Sequence, residues 1–237
     1  MQLCIALDLE SQSKNLSLLQ EVKDFDVWIK IGLRSYIRDG VGLLEKAKKL
    51  NPDFKIFLDL KLYDIPNTMA DAAFECAQVG ADMLTLHTSS GKIAMQSVME
   101  RLDKLAQRPL VMGVSALTSF ENVSFEPIYN APLDTHAPFL ARLGYESGID
   151  GAVCSVYESL AIKASTNPTF LTLTPAIRPF EPSSDDQKRV SDLMGAKQAL
   201  ADFIVIGRPI YHAPQPAVLV AKILQTIQEM ENENPTH

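Results

Sequence analysis

The segment Asp59-Leu-Lys61-Leu-Tyr-Asp64-Ile-Pro-Asn-Thr68 sets Asp59, Lys61 and Asp64 within six residues at the end of the apolar run Lys55–Leu58. Alternate residues of a strand share a face, so Asp59 and Lys61 point together while Leu58, Leu60 and Leu62 point to the other side. Asp64 falls just past the strand end, and Pro66 suits the first turn of a helix that follows. Opposite charges on the inner face of a buried strand are costly unless they are paired or used. An ammonium and a carboxylate set side by side at a strand end are candidates for chemistry on a bound substrate. The same two groups can also be a structural ion pair capping the strand, so the rest of the chain has to decide.

Other polar groups close other apolar runs. Asp8 ends Leu3–Leu9, and Lys30 lies between Trp28 and Gly32 on one face of Asp26–Gly32. His87 and Thr88 end the fourth run, Ser115 the fifth, and Gly207-Arg208-Pro209 the eighth. Asp8, Lys30, Asp59 and Lys61 therefore fall on three consecutive strands, in alternating sign. The eighth run suggests a second chemistry. Gly207 lets backbone approach a ligand closely, and the Arg208 guanidinium offers a planar fork of donors that fits phosphate. Arg178 and Gln187, after the seventh run, are placed to complete an anion grip. His87 reads as a structural histidine rather than a base.

The elements that must position these groups recur in a regular rhythm. The runs are Leu3–Leu9, Asp26–Gly32, Lys55–Lys61, Met83–Thr88, Pro109–Ser115, Gly151–Val156, Phe170–Pro175 and Phe203–Ile210. Most are continuously hydrophobic, as parallel strands covered on both faces are. Between them lie helical stripes: Met69, Ala72, Cys76 and Val79; Ala217, Val220, Leu224 and Ile227; and Leu43, Ala47 and Leu50. Alternating strand and helix signals predict an α/β fold, a (β/α)8 barrel forming one domain over residues 1–237, with a doubly wound open sheet as the second choice. Two connections are longer than a barrel needs, residues 116–133 and 176–188. Long loops at the C-terminal face act as lids or binding loops, and the 178–188 segment is the lid candidate.

Composition narrows the function. The chain has 237 residues, 46% of them hydrophobic, and a net charge of −7 with acids and bases interspersed, which gives no nucleic-acid footprint. No apolar run approaches the length of a membrane span, and the N-terminus shows no secretory signal pattern, so a cytoplasmic location is expected. Cys4, Cys76 and Cys154 are far apart and lack CxxC spacing, which fits buried free thiols in a reducing compartment. Asn15-Leu-Ser17 and Asn122-Val-Ser124 match the glycosylation pattern by chance. There is no Walker A loop, and Gly40-Val-Gly42 follows no strand and lacks the third glycine of a dinucleotide fingerprint. His87, His136, His212 and His237 have no ligand-like spacing, so no metal site is expected.

The segment Asp59–Thr68 resembles the D-x-K-x-x-D-I-P-N-T signature of the orotidine 5′-phosphate decarboxylase family. The resemblance extends through Ala6-Leu-Asp8, Lys30-Ile-Gly32, Leu117-Thr-Ser119, Thr174-Pro-Ala-Ile-Arg-Pro179, Asp186-Gln187 and Ile206-Gly-Arg-Pro-Ile210. It implies decarboxylation of orotidylate to UMP, the last step of pyrimidine nucleotide synthesis, without metal or organic cofactor. It further implies that Lys61 donates the proton to C6 and that Asp59 stands beside the substrate carboxylate. Lys30 and Asp64 then complete an alternating Lys–Asp–Lys–Asp array. By the same resemblance the protein is a homodimer with shared sites, in which Asp64 and Thr68 serve the partner's site. Asp8 and Lys30 resemble ribose contacts, Thr118 the pyrimidine contact, and Arg178, Gln187, Gly207 and Arg208 the phosphate grip.

Two small departures touch no reactive group. Ser115 stands where many relatives carry Thr, and Ala176 precedes Ile177 where Gly is common; only the ring contact is left open. The nearest rivals are magnesium-dependent sugar-phosphate enzymes of the same suprafamily, which share D-x-K-x-x-D but lack Ile-Pro-Asn-Thr and place an acid, not a lysine, near the end of the second strand. A barrel that binds nucleotides without turning them over is the other alternative, and it predicts loss of at least one of Lys30, Asp59, Lys61 and Asp64.

Overall fold

The structure, a computed structural model of the chain, describes residues 1–180 and 190–232. Eight parallel strands close into a barrel in sequence order: β1 (Gln2–Ala6), β2 (Trp28–Gly32), β3 (Lys55–Leu62), β4 (Met83–His87), β5 (Leu110–Val114), β6 (Gly151–Val153), β7 (Leu171–Thr174) and β8 (Phe203–Ile206). β1 pairs with β8 as well as β2, which leaves no free sheet edge. Helices follow each strand, among them Pro66–Gln78 after β3, Lys92–Leu102 after β4 and Pro216–Asn232 after β8.

Strand pleating sorts the residues into two cores. One face of each strand packs outward against the helices, giving a layer that includes Leu3, Ile5, Ile29, Ile31, Ile56, Leu58, Leu84, Leu86 and Ile204. The other face fills the barrel with Cys4, Ala6, Phe57, Met83, Met112, Val114, Val153, Leu173, Phe203 and Val205. Lys30, Asp59, Lys61 and Thr85 share the parity of this inner set, so the barrel interior is apolar below, charged above on β2 and β3, and polar on β4.

The opposite end of the barrel is closed by aspartates that precede alternate strands. Asp82, Asp150 and Asp202 accept the backbone N–H of Ile56, Val111 and Thr172 at 2.8, 2.7 and 2.7 Å. Each also pairs with a base: Asp82 with Lys48 and Lys55, Asp150 with Arg108, and Asp202 with Lys163. These carboxylates fix strand register far from the mouth, where the conformational demands of a site are met instead.

Several sequence expectations shift in detail. All the strands except β3, which runs one residue further to Leu62, are shorter than the apolar runs, so Asp8, Thr88, Ser115 and Arg208 lie just beyond strand ends rather than in them. The helical stripes hold at Met69, Cys76, Val220, Ile227, Leu43 and Ala47 and differ by one residue at two places: Ala73 rather than Ala72 is buried in Pro66–Gln78 and Ile223 rather than Leu224 in Pro216–Asn232, while Leu50 and Val79 are only half-buried. The 116–133 connection is not an open loop. It holds the helix Asn122–Tyr129, whose Phe125 is fully buried with Ala116, Leu133 and Ala137 and stacks on Tyr129 at 4.3 Å. Cys4, Cys76 and Cys154 are all buried, as expected. Asn15 is fully buried and occupied: it accepts from Leu9 N–H at 3.2 Å and donates to Ser35 Oγ at 3.1 Å, which leaves no amide for a glycan in the fold. Among the described residues no helix is long and apolar enough to cross a membrane. Gln187 and most of the 178–188 lid candidate lie outside the described residues.

Candidate active site

The charged groups converge at the C-terminal mouth. Register places Ala6 beside Lys30 and Gly32 beside Asp59, so β1, β2 and β3 deliver Asp8, Lys30 and Asp59 side by side. Lys30 Nζ lies 3.4 Å from Asp8 and 3.7 Å from Asp59 Oδ2. Lys61 Nζ donates to Asp59 Oδ1 at 2.7 Å. The result is one chain of alternating charge, Asp8–Lys30–Asp59–Lys61, in which Lys30 is the most enclosed member at 8% exposure.

A cavity of about 210 Å³ opens over this chain. Asp8, Lys30, Asp59 and Lys61 form one wall, Thr118 and Leu117 stand across from them, and Arg178, Gly207 and Arg208 line the cavity from the β7 and β8 side. Phe57, Val114, Val153, Leu173 and Val205 make an apolar floor. This is an elongated contrast of chemistries: a charged wall that can act on a small planar group, and guanidinium donors that suit a phosphate. Arg178 is buried and held at the root of its loop, where Arg178 N–H donates to Ser191 O at 2.8 Å and Nη1 donates to Ile177 O at 3.2 Å. A side chain at Gly32 would meet Lys30 Nζ at 3.0 Å, and one at Gly207 would meet Ala6 Cβ at 3.3 Å, so both glycines keep the mouth open.

The electrostatics favour the ionised forms of Asp59 and Lys30. Burial drives the Asp59 carboxyl up, but Lys30 and Lys61, with hydrogen bonds from Lys61 and Thr85, outweigh it and hold its pKa below the ordinary value. Burial likewise drives the Lys30 ammonium down, and Asp59 and Asp8 outweigh it and raise its pKa. His87 does not line the cavity; burial and then Lys61 lower its pKa, and its ring packs 5.6 Å from that of Tyr63.

The structure does not bring every expected residue to the cavity. Asp64 and Thr68 are exposed and outside its lining, and Asp64 Oδ1 accepts the N–H of Ile65 at 2.7 Å instead. Three residues at the site escape a reading of motifs. Thr85 bonds to both Asp59 and the backbone of Lys61, Tyr211 lines the cavity, and Phe57 floors it. Parity would have found two of them: Thr85 is two residues before His87 on β4, and Phe57 two before Asp59 on β3. Tyr211 lies three residues after Arg208 in the short helix Arg208–Tyr211 that follows Gly207.

Comparison with known proteins agrees with this geometry. The family model described as "Orotidine 5'-phosphate decarboxylase / HUMPS family" matches residues 1–223. The orotidine 5′-phosphate decarboxylase of Helicobacter pylori is 58% identical over 225 residues, covering 95% of this chain and 99% of that protein. The protein of the same name from a Nitratiruptor species is 57% identical over 227 residues, covering 96% and 100%. The crystal structure of orotidine 5′-phosphate decarboxylase from Lactobacillus acidophilus superposes with a TM-score of 0.82 at 29% identity, covering 95% of this chain and 98% of that one.

Proposed function

The chain belongs to the orotidine 5′-phosphate decarboxylase / HUMPS family, and we propose that it is a carboxy-lyase that converts orotidine 5′-phosphate to UMP and CO2 at the barrel mouth, the last step of pyrimidine nucleotide synthesis. The observation that carries this reading is the Lys30–Asp59–Lys61 chain, with contacts of 3.7 and 2.7 Å, on the wall of a cavity that also holds Arg178, Gly207 and Arg208.

The chemistry follows from what the ring lacks. When the bond from C6 to the carboxylate breaks, CO2 departs and the electron pair stays on C6 in the ring plane, where no conjugated sink reaches it. The Lys61 ammonium stabilises that charge as it forms and then gives C6 its proton. Solvent restores the proton to the Lys61 amine. Asp59 keeps Lys61 aimed through their 2.7 Å hydrogen bond. It also stands against the substrate carboxylate, a like-charge contact relieved as CO2 leaves. Asp8 and Lys30 hold the ribose, Thr118 meets the pyrimidine, and Arg178, Gly207 and Arg208, together with Gln187, bind the phosphate. Phosphate binding far from C6 supplies energy that fixes the ring against the charged wall.

On this reading the protein is a single-domain cytoplasmic homodimer that needs no metal or organic cofactor. Support for the shared site comes from Asp64 and Thr68, which are exposed at the start of Pro66–Gln78, and from their apolar neighbours Tyr63 and Ile65, which are 63% and 67% exposed. A second subunit laid over this edge would bury the apolar pair and carry Asp64 and Thr68 to its own mouth. The magnesium-dependent alternative within the family is disfavoured by Lys30, whose ammonium occupies the place between Asp8 and Asp59 that a divalent cation would take. The test is orotidylate turnover followed by absorbance with EDTA present. Turnover persists on this reading; loss of turnover that magnesium restores would favour the sugar-phosphate branch.

A further inference from the structure

We propose that Thr85 is a positioning residue for catalysis: its side-chain hydroxyl ties the backbone of Lys61 to the carboxylate of Asp59 and so fixes the proton donor and its counter-ion as one unit. This inference rests on the role given to Lys61 above.

The hydroxyl is fully buried on β4 and lies beneath the cavity rather than in its lining. Its Oγ1 accepts the N–H of Lys61 at 2.9 Å and donates to Asp59 Oδ1 at 3.0 Å. The same Oδ1 accepts Lys61 Nζ at 2.7 Å. A hydroxyl has one proton. With the Lys61 N–H directed at its lone pair, that proton is aimed at Asp59, and the three groups close a ring of hydrogen bonds.

The backbone shows why such a tie is needed. From Leu58 to Leu62 β3 advances four residues while its partner β4 advances two, from Leu84 to Leu86, so the regular ladder breaks at Asp59–Lys61. Lys61 has φ of 53°, a conformation that a side-chain-bearing residue keeps only when its surroundings enforce it. The break leaves the Lys61 N–H without a ladder acceptor, and Thr85 supplies one. Valine has the same shape and would supply none.

The charged and titratable groups facing Asp59 are Lys30, Lys61 and His87. None of them replaces a neutral donor from below. Loss of the Thr85 donor therefore weakens the ionised form of Asp59 and loosens Lys61 at the same time.

The test compares Thr85→Val with Thr85→Ser. In Thr85→Val, kcat falls on the order of tenfold to a hundredfold, the size expected for one hydrogen bond to a charged group, while UMP affinity changes little. The acidic limb of the kcat profile moves to higher pH. Thr85→Ser, which keeps the hydroxyl, restores both. If Thr85→Val does not yield folded protein, Thr85→Cys, a much weaker donor of similar volume, is read in its place. Parental kcat with an unmoved acidic limb in the donor-poor variant overturns the proposal, and so does an equal loss in Thr85→Ser. Lys61→Ala run alongside separates the two claims: turnover without Lys61 refutes the proton-donor role itself, whereas an inactive Lys61→Ala beside a fully active Thr85→Val refutes only the role of Thr85.

Discussion

Lys61 Nζ donates to Asp59 Oδ1 at 2.7 Å across a strand that is irregular between them, with Lys61 at φ 53°. The pair does not sit together merely because alternate residues share a face. It is held by a broken ladder, by Lys30 on the far side of Asp59 and by Thr85 beneath it. The consequences of that arrangement are measurable.

The first concerns pH and stability. The folded pKa of Asp59 lies below its unfolded value, so its contribution is present above the ordinary carboxylate range and is lost as pH falls through the depressed folded value. Lys30 has the opposite sign: its pKa is raised, and its contribution is lost only as pH rises through the folded value, above the ordinary lysine range. In Asp59→Asn, Lys61 loses its carboxylate partner and Lys30 keeps only Asp8. The variant is therefore less stable than the parent at neutral pH, and denaturant titrations show the gap narrowing as pH is lowered below about 4. A gap that stays constant into acid would mean that Asp59 is not ionised in the fold.

The phosphate assignment predicts selectivity. Arg208→Ala raises the dissociation constant of UMP roughly tenfold to a hundredfold, the loss expected for a charge-assisted hydrogen bond. Uridine, which lacks the phosphate, binds the variant as it binds the parent. Isothermal titration of both ligands decides it, and equal weakening of both would remove Arg208 from the phosphate site.

The shared site predicts complementation. Asp64→Asn and Lys61→Ala are each inactive as homodimers. Subunits mixed and allowed to exchange regain activity, because one of the two mouths in a heterodimer then carries Lys61 from one subunit and Asp64 from the other. Failure to regain activity, with heterodimers shown to form, would confine both residues to one chain.

The parts of this account that were legible in the sequence are those with a period. Eight apolar runs recurring between helical stripes gave the barrel, and the parity of Asp59 with Lys61 put both on the inner wall. What stayed hidden had no period. Nothing in Asp59-Leu-Lys61 announces a left-handed lysine, since the ladder break belongs to the pairing with β4 rather than to β3 alone. Parity marks Thr85 as inward-facing, but only the pairing with β3 shows that its hydroxyl joins Lys61 to Asp59. The helix Asn122–Tyr129 was obscured by Pro127 within it and by an aromatic cluster that only the neighbouring helix Leu133–Glu146 completes. The one-residue shifts of the helical stripes reflect which flank each helix turns to the barrel, a tertiary choice that spacing alone does not make. Asp64 and Thr68 were assigned by resemblance, and their exposure on this chain, away from the cavity, is the physical reason spacing could not place them.

The most direct test of the central claim is Lys61→Ala, assayed for orotidylate decarboxylation and, separately, for UMP binding. The account predicts that turnover falls by at least about 10⁴-fold, because both the proton donor and the charge that stabilises C6 are gone, while UMP still binds through Arg178, Gly207 and Arg208. Turnover within about tenfold of the parent, a loss far smaller than general acid catalysis alone accounts for, would contradict it.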